Sequence, residues 1–224
     1  MIQAVIFDLG DTVLEEKSYD IASGFAEISR NLVPHATLEQ LNLSIAKYQV
    51  GSSEFRLLKW IESNLSNLGQ STRAADLELE LWRQTVSLLP KPGIRNVLDF
   101  LKGKNIRIAA ISNAIFSSIC MERELEMHGL DDYFEFIISS ADIGIRKPDK
   151  TIFELALNKL DIEPNNTWYI GDNWDADIVG ATFSRMTPVW FKKEFPNHDT
   201  NLKHIKLEEW SDFKNTWIQH AKPT

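Results

Sequence analysis

The stretch that most constrains this chain is Ala4-Val5-Ile6-Phe7, followed without a break by Asp8-Leu9-Gly10-Asp11-Thr12. An apolar run of this length, ending abruptly in two carboxylates, a glycine and a hydroxyl, reads as a central parallel strand covered on both faces. Ligands of such sheets bind outside the carboxyl ends of the strands, so Asp8 is expected at the chemically active edge.

Beyond Leu14 the texture turns helical. Glu15-Glu16-Lys17 lead into a segment where Ala22, Phe25, Ala26, Ser29 and Leu32 share one helical face, ended by Pro34. Thr37 and Gln40 form a capping box for a second helix carrying Leu38, Leu41, Ile45 and Tyr48, stopped by Gly51. Phe55, Leu58, Ile61 and Leu65 mark a third, closed near Gly69. Ser71 or Thr72 opens a fourth with Leu77, Leu81 and Leu88. Residues 17–88 therefore read as all helical, a small bundle with its own core inserted after the first strand.

From Pro90 onward the pattern alternates strictly. A helix through Ile94, Val97, Leu98 and Leu101 precedes a strand at 106–111. Helix 115–127 precedes strand Phe136-Ile137-Ile138, helix 149–160 precedes Trp168-Tyr169-Ile170, and helix 175–183 precedes Pro188-Val189-Trp190-Phe191. Such alternation predicts an α/β fold, a Rossmann-like parallel sheet with right-handed crossovers. The expected organisation is an α/β core of residues 1–16 and 89–224 with residues 17–88 as an inserted helical-bundle cap. Trp210, Phe213 and Trp217 suggest a last amphipathic helix packed on the sheet, and Lys192 to Thr200 reads as a loop.

Charge and cysteine usage narrow the function classes. A net charge of −8 leaves no basic field for a phosphate backbone, so nucleic acid is not an expected partner. The single cysteine, Cys120, and the absence of zinc-type spacing suit a reducing cytoplasm. No apolar run is long enough to span a membrane, so a membrane is not an expected partner either. The five histidines pair with no nucleophile, and no Gly-x-Ser-x-Gly elbow marks a serine hydrolase.

The strand ends carry the chemistry. After successive strands come Asp8, Gly10, Asp11 and Thr12; Ser112 and Asn113; Lys147; and Asp172, Asp175 and Asp177. Three or more carboxylates converging on one edge repel one another unless a cation joins them, and an oxygen-rich set suits Mg²⁺. Lys147, with the Ser112 hydroxyl and backbone N–H groups opening a helix, adds anion-binding features. A carboxylate nucleophile, a divalent cation and a lysine together suit phosphoryl transfer through an aspartyl-phosphate. Asp175 is expected merely to start a helix. Most of the seven tryptophans fall on apolar stripes, with Trp174 placed to wall the site.

In order and spacing, Phe7-Asp8-Leu9-Gly10-Asp11-Thr12, Ile111-Ser112-Asn113, Arg146-Lys147-Pro148-Asp149 and Gly171-Asp172 with Asp177 resemble the four motifs of the haloacid dehalogenase-like hydrolases. The insertion after the first motif resembles that family's helical cap of the first type. The resemblance implies that Asp8 is the nucleophile and a magnesium ligand, that the Gly10 carbonyl is a second ligand, and that Asp172 completes the set. It further implies that Ser112 and the Asn113 backbone hold the phosphoryl group, that Lys147 neutralises it, and that Asp177 orients Lys147 or a metal-bound water.

One position departs from the pattern. Most phosphatases of the family carry an aspartate two residues after the nucleophile, as general acid and base, and here that place is Gly10. Asp11 is expected to replace it in part, with Glu15, Glu16 or metal-bound water as alternatives. The resulting expectation is a Mg²⁺-dependent, cytoplasmic phosphatase of a small phosphorylated metabolite, monomeric or homodimeric. The alternatives are a dehalogenase using Asp8 without metal, or a non-catalytic binding protein.

Overall fold

The structure, a computed structural model, describes residues 1–33, 36–48, 51–65, 73–192 and 202–221. In chain order the strands are β1 (Ala4–Phe7), β2 (Leu14–Tyr19), β3 (Val86–Pro90), β4 (Arg107–Ser112), β5 (Ile137–Ser139), β6 (Thr167–Gly171), β7 (Thr187–Phe191) and β8 (Ile205–Leu207). The α-helices are α1 (Ile21–Ile28), α2 (Leu38–Tyr48), α3 (Leu57–Ser63), α4 (Ala74–Thr85), α5 (Ile94–Gly103), α6 (Ser118–Met127), α7 (Ser140–Ile143), α8 (Lys150–Leu160), α9 (Gly180–Phe183) and α10 (Phe213–His220).

Among the described residues six strands pair in the order β5-β4-β1-β6-β7-β8, every pair parallel. The opening apolar run is the middle of this sheet. Alternate residues of β1 feed two separate cores: Val5 and Phe7 face the side covered by α5, α6 and α10, while Ala4 and Ile6 face α8 and α9. All four are fully buried. Burying a large side chain such as Ile6 or Phe7 stabilises by roughly 1.5–3 kcal/mol, which fixes β1 in register and with it the position of Asp8.

The tail helix docks as its aromatic spacing predicts. Trp210 stacks on Phe191 of β7 with ring centroids 4.1 Å apart, and Trp217 lies 4.9 Å from Trp168 of β6. Trp210 also donates its Nε1–H to the carbonyl of Thr12 at 3.1 Å, tying the tail to the loop after Asp8.

Residues 17–88 are not all helical. Their two ends, β2 and β3, pair as an antiparallel ribbon that runs from Leu14↔Pro90 to Tyr19↔Val86, so the expected boundaries at 16/17 and 88/89 fall within its strands. Glu15, Glu16 and Lys17 are good helix formers, but pairing with a segment some seventy residues later overrides local propensity. The first helix also buries a different face. Asp20 caps α1 through Ala22 and Ser23, and Gly24, Phe25 and Ile28 turn inward while Ala22 and Ala26 stay exposed.

Other expectations shift more modestly. Gln40 donates its N–H to Thr37 Oγ1 at 3.2 Å, the N-cap half of the anticipated box. Strand β8 was not anticipated, because its three residues are too short to show a period. Expected helix 175–183 is instead a π-helical turn, Trp174–Val179, followed by α9. Pro34, His35, Gly69, Ser71, Thr72, His198 and most of the 192–200 loop lie outside the described residues. None of the described helices is long and apolar enough to cross a membrane.

Candidate active site

Lys147 is the hub of the sheet edge. Its Nζ donates to Asp8 Oδ1 at 2.7 Å, Asp177 Oδ1 at 2.7 Å, Tyr169 Oη at 2.9 Å and the Ile111 carbonyl at 3.1 Å. The lysine is only 3% exposed, yet four oxygens surround its ammonium. Asn113 fixes the backbone beneath it: its side-chain oxygen accepts from Lys147 N at 2.8 Å and its amide nitrogen donates to Lys147 O at 3.0 Å.

Each carboxylate is held differently. Asp8 follows β1, and its backbone N–H continues the ladder to Ile170 O at 2.8 Å. Asp177 is 1% exposed; Tyr169 donates to its Oδ1 at 3.2 Å and the Asn173 N–H to its Oδ2 at 2.9 Å. The π-helical turn lets Asp177 reach back over the end of β6. A Cβ at Gly171 would lie 2.4 Å from the Asp177 carboxylate, so only glycine leaves room there. Asp172 is partly open, with Lys192 Nζ 3.2 Å from its Oδ2 and Trp190 Nε1 donating to its carbonyl at 2.9 Å.

One oxygen from each of Asp8, Asp172 and Asp177 lies within 4.8 Å of the others. Burial pushes the Asp8 carboxyl up to about 7; Lys147 opposes this, while Asp177 adds to it. Burial likewise raises Asp172, against the pull of Lys192. For Lys147 burial acts against the charge, but Asp177 and Asp8 outweigh it and raise the ammonium above its ordinary value. The three carboxylates thus outnumber the two lysines that reach them, Lys147 and Lys192, and this hard-oxygen set fits a divalent cation such as Mg²⁺.

A model of the haloacid dehalogenase-like hydrolases matches residues 2–182. The chain belongs to this family of hydrolases. Among relatives, a glyceraldehyde 3-phosphate phosphatase of Methanothermobacter thermautotrophicus is 26% identical over 87% of both chains. A phosphoserine phosphatase of Thermus thermophilus is 27% identical over 63% of this chain and 57% of its own. In fold the chain is similar to a 2-haloacid dehalogenase from Pseudomonas syringae, with a TM-score of 0.67 at 20% identity over 98% of this chain and 99% of that one.

Of the residues singled out from the sequence of this hydrolase, Asp8, Lys147, Asp172 and Asp177 come together. Ser112 and Asn113 stand beside them on the wall of a cleft of about 280 Å³ that also includes Gly10. Asp11 does not face this cleft. It adopts a left-handed backbone (φ 54°) and lines a neighbouring groove of about 780 Å³ that Asp172 and Lys192 also line, together with Glu15 and with Lys91, whose Nζ is 3.9 Å from the Asp11 carboxylate. Asp175 is exposed, as a helix-start residue should be. Trp174 lines neither space; it packs on Trp190 with ring centroids 4.7 Å apart.

Three residues at the site were missed. Tyr169 is a fully buried hydroxyl on a strand otherwise apolar from Trp168 to Ile170, and that lone polar atom was the available signal. Glu54 and Arg146 line the same cleft as the ribbon residues Leu14, Glu16, Val86 and Leu88. Glu54 accepts from Phe55 N at 3.0 Å and Ser140 Oγ at 2.8 Å, with Arg146 Nε 3.6 Å away, and no local pattern announces a contact over such separations.

Proposed function

We propose that this hydrolase is a Mg²⁺-dependent, cytoplasmic phosphatase of a small phosphorylated metabolite, with Asp8 as nucleophile. The observation that carries the reading is Lys147 held at 2.7 Å from both Asp8 and Asp177. The ammonium engages Oδ1 of Asp8, which leaves the second carboxylate oxygen to attack phosphorus. Small-metabolite phosphatases among the relatives support the same reading.

Asp8, Asp172 and the Gly10 carbonyl would hold the metal, with Asp177 close by and its oxygens engaged by Lys147, Tyr169 and Asn173. When bound, the cation neutralises charge on the transferring phosphoryl group. The chain's own residues do the rest. Lys147 offsets phosphoryl charge, and Ser112 at the C-terminal end of β4 donates to a phosphoryl oxygen. Asn113 keeps the Lys147 backbone from drifting. Residues 17–88 form the cap that covers the cleft and excludes water.

A dehalogenase reading keeps some support from the apolar cleft wall of Leu14, Val86, Leu88 and Phe116, and from Gly10. Hydrolysis of a panel of phosphorylated metabolites, with Mg²⁺ and with EDTA, separates the two. Phosphate release that requires Mg²⁺ supports the phosphatase, whereas metal-independent release of halide from 2-haloacids, with no phosphate release, supports the rival.

A further inference from the structure

The position two residues after Asp8 is glycine for no steric reason. A Cβ built on Gly10 meets nothing within 4 Å, and the backbone there lies outside the left-handed region. An aspartate would fit, so its absence is a chemical feature of this site, and the proton for the leaving group must come from elsewhere. Asp11 lies in the neighbouring groove, which Asp172 also lines, with Lys91 3.9 Å from its carboxylate, and it does not border the cleft of Gly10 and Ser112.

The ribbon supplies a candidate. Glu16 pairs with Leu88, and a bulge between Glu16 and Ser18 brings Tyr19 opposite Val86. The extra residue, Lys17, resets the alternation, so that Leu14, Glu16 and Tyr19 all border the cleft that contains Gly10 and Ser112, while Glu15 points to the groove of Asp11. Among the described residues two carboxylates line this cleft, Glu16 and Glu54. Glu54 is buried and committed to Phe55, Ser140 and Arg146. Glu16 is exposed, and among the described residues neither a hydrogen bond nor an ion pair holds it.

We propose that Glu16 is the general acid and base of this enzyme, delivered by the ribbon in place of the missing side chain at position 10; this rests on the phosphatase reading above. In the first step the Asp8 oxygen–phosphorus bond forms while the ester oxygen–phosphorus bond breaks, and the Glu16 carboxyl proton passes to the leaving oxygen to give the alcohol. In the second, water attacks phosphorus and its proton returns to the Glu16 carboxylate. The bond from Asp8 to phosphorus breaks, inorganic phosphate leaves, and both side chains recover their starting states. The substrates that need this proton are phosphate esters of ordinary alcohols, whose alkoxide is a poor leaving group.

The test compares butyl phosphate with p-nitrophenyl phosphate, whose phenolate leaves readily without protonation, using wild type, Glu16→Gln, and Glu16→Gln combined with Gly10→Asp. General acid catalysis contributes about 10²–10⁴-fold, so Glu16→Gln is expected to lose kcat in that range on butyl phosphate and far less on p-nitrophenyl phosphate. Gly10→Asp then restores much of the loss, which a merely structural role for Glu16 would not allow. Equal losses on the two esters, no loss on butyl phosphate, or no recovery on adding Gly10→Asp overturns the assignment while the phosphatase reading stands. If wild type with Mg²⁺ hydrolyses neither ester nor any phosphorylated metabolite of the panel, that reading fails and Glu16 falls with it.

Discussion

Lys147 and Asp8 are 139 residues apart in the chain, yet the lysine ammonium lies 2.7 Å from the aspartate carboxylate, and both residues are buried. The contact links the loop before α8 to the end of β1 and makes the charge balance of the site a determinant of stability as well as of chemistry. Removing one partner of a buried pair typically costs about 3–5 kcal/mol, because the other charge is left without compensation. Lys147→Ala is expected to lose stability of that order at neutral pH in the absence of metal. The Asp8 carboxyl, which burial already raises to about 7 against the pull of Lys147, loses that opposing charge in the variant, so its folded-state pKa lies above its unfolded one. The deficit therefore shrinks as pH falls below the ordinary carboxylate range and grows as pH rises. Urea unfolding at acidic and neutral pH measures this.

Tyr169 connects the same ammonium to Asp177. Tyr169→Phe keeps the ring that packs on Phe153, with centroids 5.1 Å apart, and removes only the hydroxyl. Hydrogen bonds to charged groups are worth about 1.5–3 kcal/mol, so the loss in unfolding free energy should fall in that range. Turnover should fall as well, since Lys147 is then held by three partners in place of four. Paired urea titration and kinetics check both effects.

Glu78 on α4 gives a pH signature away from the site. It accepts from Ser117 N at 2.9 Å and Ser117 Oγ at 2.5 Å at the start of α6, and burial, despite those bonds, raises its carboxyl pKa. A raised folded pKa means that its stabilising contribution is complete below the unfolded value near 4.3 and is lost as pH rises through the folded one. Glu78→Gln has the same shape and cannot ionise. Its unfolding midpoint should match wild type in acid and exceed it at neutral pH.

Trp210 ties the tail to the first motif. Trp210→Ala removes the stack on Phe191 and the hydrogen bond to Thr12, and large-to-alanine changes of this kind cost about 3–5 kcal/mol. Trp210→Phe keeps the stack and loses only the hydrogen bond, so about 0.5–1.5 kcal/mol is expected. Thermal unfolding of both variants separates the two contributions.

How much of this was legible in the sequence depended on the range of the interaction that decides each element. β1, β4, β6 and β7 announced themselves because burial on both faces forces continuous apolar runs, and Asp8, Ser112 and Asp172 were visible as the polar breaks that follow. The ribbon was hidden because Glu15, Glu16 and Lys17 favour a helix locally, and only pairing with β3 holds them extended. The direction of Asp11 was hidden for a related reason. Its proximity to Asp8 in sequence does not fix where its side chain goes, and the left-handed turn at Asp11 places it in the groove that Asp172 also lines, beside Lys91.

The central claim is that Asp8 carries the phosphoryl group. Acid-quenching the enzyme during turnover of p-nitrophenyl phosphate with Mg²⁺, followed by mass spectrometry of the peptide containing Asp8, tests it directly. A phosphoryl adduct on Asp8 that is absent in EDTA is expected, together with loss of phosphate release in Asp8→Asn. Phosphate release at the wild-type rate by Asp8→Asn, with no adduct on the wild-type peptide, would contradict it.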